Sequence, residues 1–472
     1  MRRLVLACAL AVAATWAPAA FAHATLVRVD PAAQTVVARA PAQIVLHFSQ
    51  EVTPVSNGTD VIGPGGASAA GGPAHLSAKD VRALVIPLAP GLGRGDYTVR
   101  WRVASTDGHL VGGVFAIGVG AGRPPPQLAT TETSSVDSAL LVARFLYFIG
   151  LLVLVGAALV RLAVFAPAMR SLTGDRRGDV EESERTGFGV LSFAAAALVV
   201  IGGWAAVVRQ ATQVAGISFW APLEGHGPLV APIGATRFGR EFGHAINAAT
   251  VFFVLILCGY ALRRWRPSLY AVAVAAAVAG GWAVVGPGLS GHAGDPGRGW
   301  LALVVDALHL AGAAVWIGGL AHLFVVAAPA TASLPPEERS RVRLEIARRF
   351  SRIALASVAV IGITGVGRAL WELSAVSQIW STAYGRTLII KTALLGALIV
   401  LGYLNRKALA DFTALRRRVG IELSLLVTLT AAVSLLTDLP PANTVSSSPA
   451  AARSAPAQVA QQPAGRTRGA VR

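Results

Sequence analysis

The sequence predicts an N-terminal all-β domain followed by an all-α polytopic membrane bundle of eight spans. Composition is the first reason: of 472 residues, 54% are hydrophobic and only 14% are charged, whereas soluble domains carry about 25% charged residues. Patterning is the second reason. An early region alternates apolar with other residues, and long apolar stretches fill the chain after about residue 138.

The first 22 residues have the pattern of a secretory signal peptide. Arg2 and Arg3 precede an apolar run, and Ala20-Phe21-Ala22 matches the small-x-small sequence that signal peptidase cleaves. Cleavage makes His23 the first mature residue, and an uncleaved first anchor is the alternative. The two cysteines, Cys8 and Cys258, offer no disulfide framework, so core packing alone must hold the exported domain together.

Residues 23–121 predict the β domain. Period-two alternation is clear at 43–48 and 97–103, and Gly/Pro clusters separate the apolar runs as turns. About seven short strands in this length favour a Greek-key sandwich or barrel. Residues 122–137, Pro-rich and then Thr/Ser-rich, predict a semi-rigid linker.

The membrane domain is predicted over residues 138–440, where each apolar stretch is close to the ~20 residues that cross a bilayer as a helix. The eight predicted spans are 139–166, 188–210, 243–262, 268–289, 301–328, 352–371, 387–404 and 419–437. Residues 441–472, rich in Ala, Ser, Pro and Gln, predict a disordered extracytoplasmic tail.

The distribution of the charges behind the net charge of +17 indicates how the chain is oriented in the membrane. With the β domain exported, the cytoplasmic loops hold 19 basic residues against 8 near the opposite span ends, as the positive-inside rule requires. The β domain itself is close to neutral, so the pI of about 11.2 does not indicate a nucleic-acid partner. The expected location is the inner membrane of a bacterium.

Two features of the β domain suggest a metal site. A mature N-terminal His23 offers its α-amine and its imidazole to one ion, a nitrogen pair that suits Cu(II). In Asp107-Gly108-His109 the carboxylate and the imidazole are i and i+2, which share a face in an extended segment. The triplet alone is weak, because Asp-Gly is also a common hairpin signal.

Polar groups inside spans are costly and therefore informative. Asp306 and His309, at i and i+3 of span five, share a helix face. His292 and His244 are predicted at a similar outer depth, so the four residues are candidates for an outer copper site. The alternative is a buried Asp306–His309 pair with the other histidines in interfacial water. Haem between histidines is a third possibility, poorly supported by so few buried histidines.

The β domain closely resembles the CopC family of periplasmic copper proteins. The resemblance rests on three segments: the opening 23–31 (HATLVRVDP), the strand 46–49 (LHFS) and the segment 97–109 (YTVRWRVASTDGH). It implies a cupredoxin-like Greek-key barrel that binds Cu(II) through His23, Asp107 and His109. The processed domain contains no methionine, so the thioether Cu(I) site of some family members is excluded.

The membrane part resembles the CopD family over roughly residues 140–445. The matching segments are 306–309 with 316–320, 350–352 leading to 364–365, 384–386 with Lys391, 405–406 and 439–441. The two resemblances together imply a copper-binding and copper-transport protein, acting in uptake for copper homeostasis or resistance, and not an enzyme. Its expected partners are the bilayer, copper ions and other periplasmic copper carriers. Copper buffering without transport, and a copper- or haem-dependent oxidoreductase, are the alternatives.

Overall fold

The computed structural model describes residues 24, 26–56, 58–105, 110–120, 123–125, 137–172, 174–215, 219–220, 237–262, 266–294, 299–407 and 412–436. The predicted signal peptide, the C-terminal tail and most of the predicted linker lie outside these residues.

The β domain contains nine strands within the described residues. They are β1 (Leu26–Asp30), β2 (Val36–Val37), β3 (Gln43–Phe48), β4 (Val52–Pro54), β5 (Asp60–Ile62), β6 (His75–Ser77), β7 (Asp80–Pro87), β8 (Gly95–Ser105) and β9 (Leu110–Val119). The sequence predicted about seven, because strands of two or three residues are too short to show an alternation.

Two sheets share one core. One has the order β1-β3-β7-β6, and the other has the order β2-β9-β8-β4 with β5 also paired to β8. The predicted alternation is confirmed, since Ile44, Leu46 and Phe48 of β3 are buried, as are alternate residues of β8 from Tyr97. The rings of Phe48 and Trp101 meet edge to face at 5.3 Å between centroids, which joins the sheets.

Helices occupy the rest of the described chain. They are α1 (Ser138–Val160), α2 (Gly174–Ala215), α3 (Arg237–Ala261), α4 (Arg266–Ser290), α5 (Gly299–Ala321), α6 (Pro336–Glu372), the short α7 (Gln378–Ser381), α8 (Ala383–Lys407) and α9 (Phe412–Leu436). Helix α1 continues through a π turn, Arg161–Phe165, and α5 continues through a π turn, His322–Ala327.

A helix stands at each of the eight predicted spans, and the protein is a multi-pass membrane protein. Seven of these helices are long and apolar enough to cross a membrane. The eighth, α9, has a shorter apolar part, Gly420–Leu436, so the eighth crossing remains a prediction.

Helices α1 and α5 cross at two glycines. A Cβ on Gly156 would collide with the backbone of Ala314, and one on Gly318 would collide with the backbone of Leu152 and Ala157. Only glycine permits this approach, which is the packing expected of small residues in membrane helices. The contact lies at the centre of the helical core.

The helical domain contains an internal repeat that the sequence analysis missed. Gly150 of α1 packs on the backbone of α2 at Ala195, and Gly312 of α5 packs on the backbone of α6 at Ser357. The same separation in sequence relates both pairs, and it also relates the last residues of the two π turns, Phe165 and Ala327, and the Ala-Pro-Ala segments that follow them. Helices α1–α2 and α5–α6 are therefore equivalent pairs.

The β domain is docked on the end of α2. The backbone N–H of Ser56 donates to the carbonyl of Val214 at 3.2 Å. Val55, Ala104 and Val214 form a buried apolar cluster against which Leu110 packs. The end of β8 and the start of β9 thus face the membrane domain.

Candidate metal centre and the polar clusters of the bundle

The predicted copper ligands of the β domain, His23, Asp107 and His109, lie outside the described residues. Their chain neighbours are described. The backbone N–H of Ala24 donates to Ser105 Oγ at 3.1 Å, and both residues are fully buried. Ser105 ends β8 and Leu110 begins β9, so Ala24 is bonded to the last described residue before the 106–109 segment.

Asp306 lies in an ion pair that joins α5 to α6. Arg368 Nη1 is 2.5 Å from Asp306 Oδ1, and the carboxylate side chain is only 12% exposed. The carboxylate is therefore already neutralised by a guanidinium, the geometry of a structural ion pair. His309, on the same helix, contacts Thr364 and Lys391 instead. The predicted alternative, a direct Asp306–His309 pair, is therefore not formed, and both side chains contact other helices.

The hydrogen bonds of His309 determine which ring nitrogen is open. Thr364 Oγ1 donates to the carbonyl of Val360 at 2.6 Å, so this hydroxyl accepts from His309 Nδ1 at 2.9 Å. Nε2 then carries the lone pair. Lys391 Nζ of α8 lies 3.5 Å from Nε2. The ammonium group of this lysine is therefore at the position where a metal ion would bind Nε2.

His244, another predicted membrane ligand, is not brought to this cluster. His244 is 62% exposed, and its Nδ1 lies 3.7 Å from Glu241 Oε2 on the same helix. His292 begins a 3-10 turn, His292–Gly294, and its side chain is outside the described ones. Within the described part of the chain, no group of three or more His, Cys, Asp or Glu side chains is placed to hold a metal ion.

A second polar cluster, the inner triad, lies at the opposite end of the bundle and consists of Arg161, Glu184 and His322. His322 Nε2 is 3.0 Å from Glu184 Oε1, and Arg161 Nε is 2.9 Å and 3.1 Å from the two carboxylate oxygens. The sequence does not indicate this triad, because the second span is predicted to begin at residue 188, which places Glu184 in the loop before it. Helix α2 begins at Gly174 and carries Glu184 into the core.

A third buried carboxylate borders a cavity of about 610 Å³ between α5, α6, α8 and α9. Glu422 accepts from Trp316 Nε1 at 3.0 Å and from Asn405 Nδ2 at 2.7 Å. Both donors are neutral, so this carboxylate has no cationic partner in these bonds. Trp316 and Asn405 belong to segments that carried the CopD resemblance, whereas Glu422 was not anticipated.

The carboxylate of Asp137 joins the start of α1 to the last part of α2. It accepts from the N–H of Leu140 at 3.0 Å as the N-cap of α1, and from Arg209 Nε of α2 at 2.7 Å. Burial raises the pKa of Asp137, but the bonds from Arg209 and Leu140 outweigh it and hold the pKa below the ordinary value of 3.8.

Two family profiles match the chain. The CopC domain matches residues 26–120, and copper resistance protein D (CopD) matches residues 344–436. Copper transport protein CutJ of Bacillus subtilis (strain 168) is 24% identical over 412 residues, which are 86% of this chain and 71% of that protein. Protein YobA of Escherichia coli (strain K12) is 38% identical over 102 residues, 22% of this chain and 82% of YobA.

Solved structures also match the β domain. CopC from Methylosinus trichosporium OB3b is 29% identical with a TM-score of 0.19, covering 22% of this chain and all of that one. PcoC from Escherichia coli, described as a methionine-rich copper resistance protein, is 28% identical with a TM-score of 0.19, covering 21% of this chain and 99% of that one.

The β domain, the apolar helices, the two family profiles and the similarity to CutJ define a multi-pass membrane protein that handles copper. The chain belongs to the copper proteins in which a CopC domain is fused to a CopD domain.

Proposed function

We propose that this protein captures Cu(II) on the extracytoplasmic side of the inner membrane and transports copper inward. Cu(II) would bind the α-amine and imidazole of His23 with Asp107 and His109, a nitrogen and oxygen ligand set that suits this ion. The similarity to a copper transport protein over 86% of this chain supports transport over capture alone.

The docking of the β domain is the observation that carries the proposal. The Ala24–Ser105 hydrogen bond ties the start of the mature chain to the strand that precedes Asp107. Ala104 and Leu110, on either side of residues 106–109, pack with Val214 at the end of α2. Copper held by the β domain would therefore sit against the membrane domain, where fusion keeps donor and acceptor at an effective concentration of about millimolar.

The acceptor in the membrane would be His309 with Asp306. The Nε2 lone pair faces Lys391, so copper must displace this ammonium to bind. Such a site would receive the ion and also release it, because the lysine competes for the same nitrogen. His244 and His292 remain proposed as ligands nearer the membrane surface.

Copper accumulation tests the proposal directly. Cells that carry the gene are expected to contain more copper than cells without it at limiting external copper, and His309→Ala is expected to remove the difference while Cu(II) binding by the β domain persists. Equal copper in both strains would contradict uptake and favour buffering. A Soret band in the purified protein, or oxygen consumption with copper and a reductant, would favour an oxidoreductase.

A further inference from the structure

The inner triad contains a nitrogen that has no hydrogen-bond partner among the residues that the structure describes. Glu184 accepts two bonds from Arg161, which keeps the carboxylate ionised, so His322 donates its Nε2–H to Glu184. Nδ1 then holds a lone pair, and no hydrogen-bond partner for it exists among the described residues. The His322 side chain is fully buried, and an unpaired buried acceptor costs about 1–3 kcal/mol.

The surroundings of His322 are apolar on two sides. The rings of Phe165 and Phe188 meet its imidazole edge to face at 5.7 Å and 6.0 Å between centroids. One π turn begins at Arg161 and the other begins at His322. Such turns are rare and are found frequently at functional sites. A structural histidine needs neither a π turn nor an unsatisfied nitrogen, so a function is indicated.

A proton fits this position better than a metal ion. Both Glu184 oxygens bond to Arg161, so neither is open to a metal ion. Only one lone pair, that of Nδ1, is left to coordinate a metal. Buried His and Glu chains in membrane helices are typical of proton relays.

The charged and titratable groups around His322 come from every helix packed near it. Arg161 lies in the π turn that continues α1, and Glu184 belongs to α2. Glu181 and Arg185 lie at the exposed end of that same helix. Tyr260 comes from α3, and its ring centroid is 5.4 Å from Arg161 Cζ. Arg343 of α6 reaches Ala328 and Thr331 below the π turn. On α9, Glu422 accepts a hydrogen bond from Trp316 of α5.

We propose that His322 Nδ1 is a proton-binding position through which proton movement is coupled to copper movement. A proton from water bonds to the Nδ1 lone pair, the ring becomes imidazolium, and the triad changes from neutral to one positive charge. Arg161 and the imidazolium then compete for one carboxylate. Release of the same proton restores the neutral ring. The proposal rests on the proposed transport function, and a proton gradient would supply its energy, since the sequence has no ATP-binding loop.

Proteoliposomes test the coupling. The full chain is reconstituted with pyranine inside, the membrane potential is clamped with potassium and valinomycin, and copper(II) sulfate is added outside. We expect copper uptake with a simultaneous change in lumenal pH, and an uptake rate that varies about fivefold or more between pH 5.5 and 7.5. His322→Gln keeps a donor towards Glu184 but cannot titrate, so the pH change and the pH dependence should both disappear. His75→Gln, which removes an exposed histidine of β6, is the matched control.

The outcomes separate the two proposals. Copper uptake by the wild type without a lumenal pH change overturns proton coupling and leaves transport intact. No copper uptake by the wild type overturns transport itself. A pH response retained in His322→Gln assigns the coupling to another group and contradicts the role of His322. If His322→Gln is not monodisperse after purification, Glu184→Gln takes its place, and the wild-type measurement decides the coupling on its own.

Discussion

The ammonium of Lys391 lies 3.5 Å from His309 Nε2, the nitrogen that is proposed to bind copper. This contact leads to a prediction at the scale of one residue. Lys391→Met removes the ammonium and leaves Nε2 open, since Thr364 continues to hold Nδ1. We expect copper to bind the membrane domain about tenfold more tightly or better, because removing a nearby unit charge relieves repulsion on the order of 1–3 kcal/mol. The measurement is the second binding event in a copper titration of the purified full chain.

The same substitution should slow transport, since a tighter site releases copper less readily. Lys79→Met, in an exposed turn of the β domain, is the matched control and should change neither binding event. Weaker or unchanged binding in Lys391→Met would show that His309 Nε2 is not a copper ligand.

The α-amine of His23 leads to a second prediction at this scale. One extra residue before His23 in the mature chain displaces the amine and removes one of two chelating nitrogens, so Cu(II) affinity should fall by orders of magnitude. The measurement is competitive Cu(II) titration of the full chain against a chelator of known affinity. An affinity that survives the extension rules out the proposed N-terminal coordination.

At the scale of the element, the α1–α5 crossing depends on two glycines. Gly156→Leu or Gly318→Leu places a side chain into the backbone of the opposing helix, and overpacking of this kind typically costs about 1–3 kcal/mol. We expect a lower thermal unfolding midpoint in detergent, followed by tryptophan fluorescence. Gly281→Leu is the control, because a Cβ at Gly281 of α4 would meet no atom within 4 Å.

The N-cap of α1 leads to a prediction about acid pH. Asp137→Ala removes a cap worth about 1 kcal/mol and leaves Arg209 without this carboxylate. Because folding lowers the pKa of Asp137, its contribution is complete above pH 3.8 and is lost as the pH falls through the lower folded value. Wild type and variant should therefore differ in unfolding midpoint at pH 6, and the difference should shrink as the pH falls below 3.8. A difference that is constant with pH would contradict the ion pair.

For the whole molecule, the β domain must dock on α2 if copper is passed directly. Val214→Asp puts a charge into the apolar cluster with Val55 and Ala104. Uptake at limiting copper should fall several-fold while Cu(II) affinity of the β domain is unchanged. Val81→Asp, at a position that is 49% exposed on β7, is the control. Normal uptake in Val214→Asp would indicate that copper reaches the membrane domain through solution.

Periodicity in the sequence was sufficient for the longer strands and for the position of each apolar helix. Alternation at residues 43–48 predicted β3, and a helix stands at each apolar stretch, because burial and the need to satisfy backbone groups in lipid act locally. The polar clusters were harder to predict. Helix α2 extends beyond its apolar stretch, so Glu184 could not be recognised as buried until its distant partners, Arg161 and His322, were known.

By itself, the sequence determined that this protein is a β domain joined to a membrane bundle with copper-family motifs, because composition, period and short motifs are local properties. Only the tertiary structure decided which side chains meet. It paired Asp306 with Arg368, set Lys391 against His309, assembled the inner triad and placed the β domain on α2. These contacts join residues far apart in the chain, and they exist only once close helix packing, such as that at Gly156 and Gly318, brings the elements together.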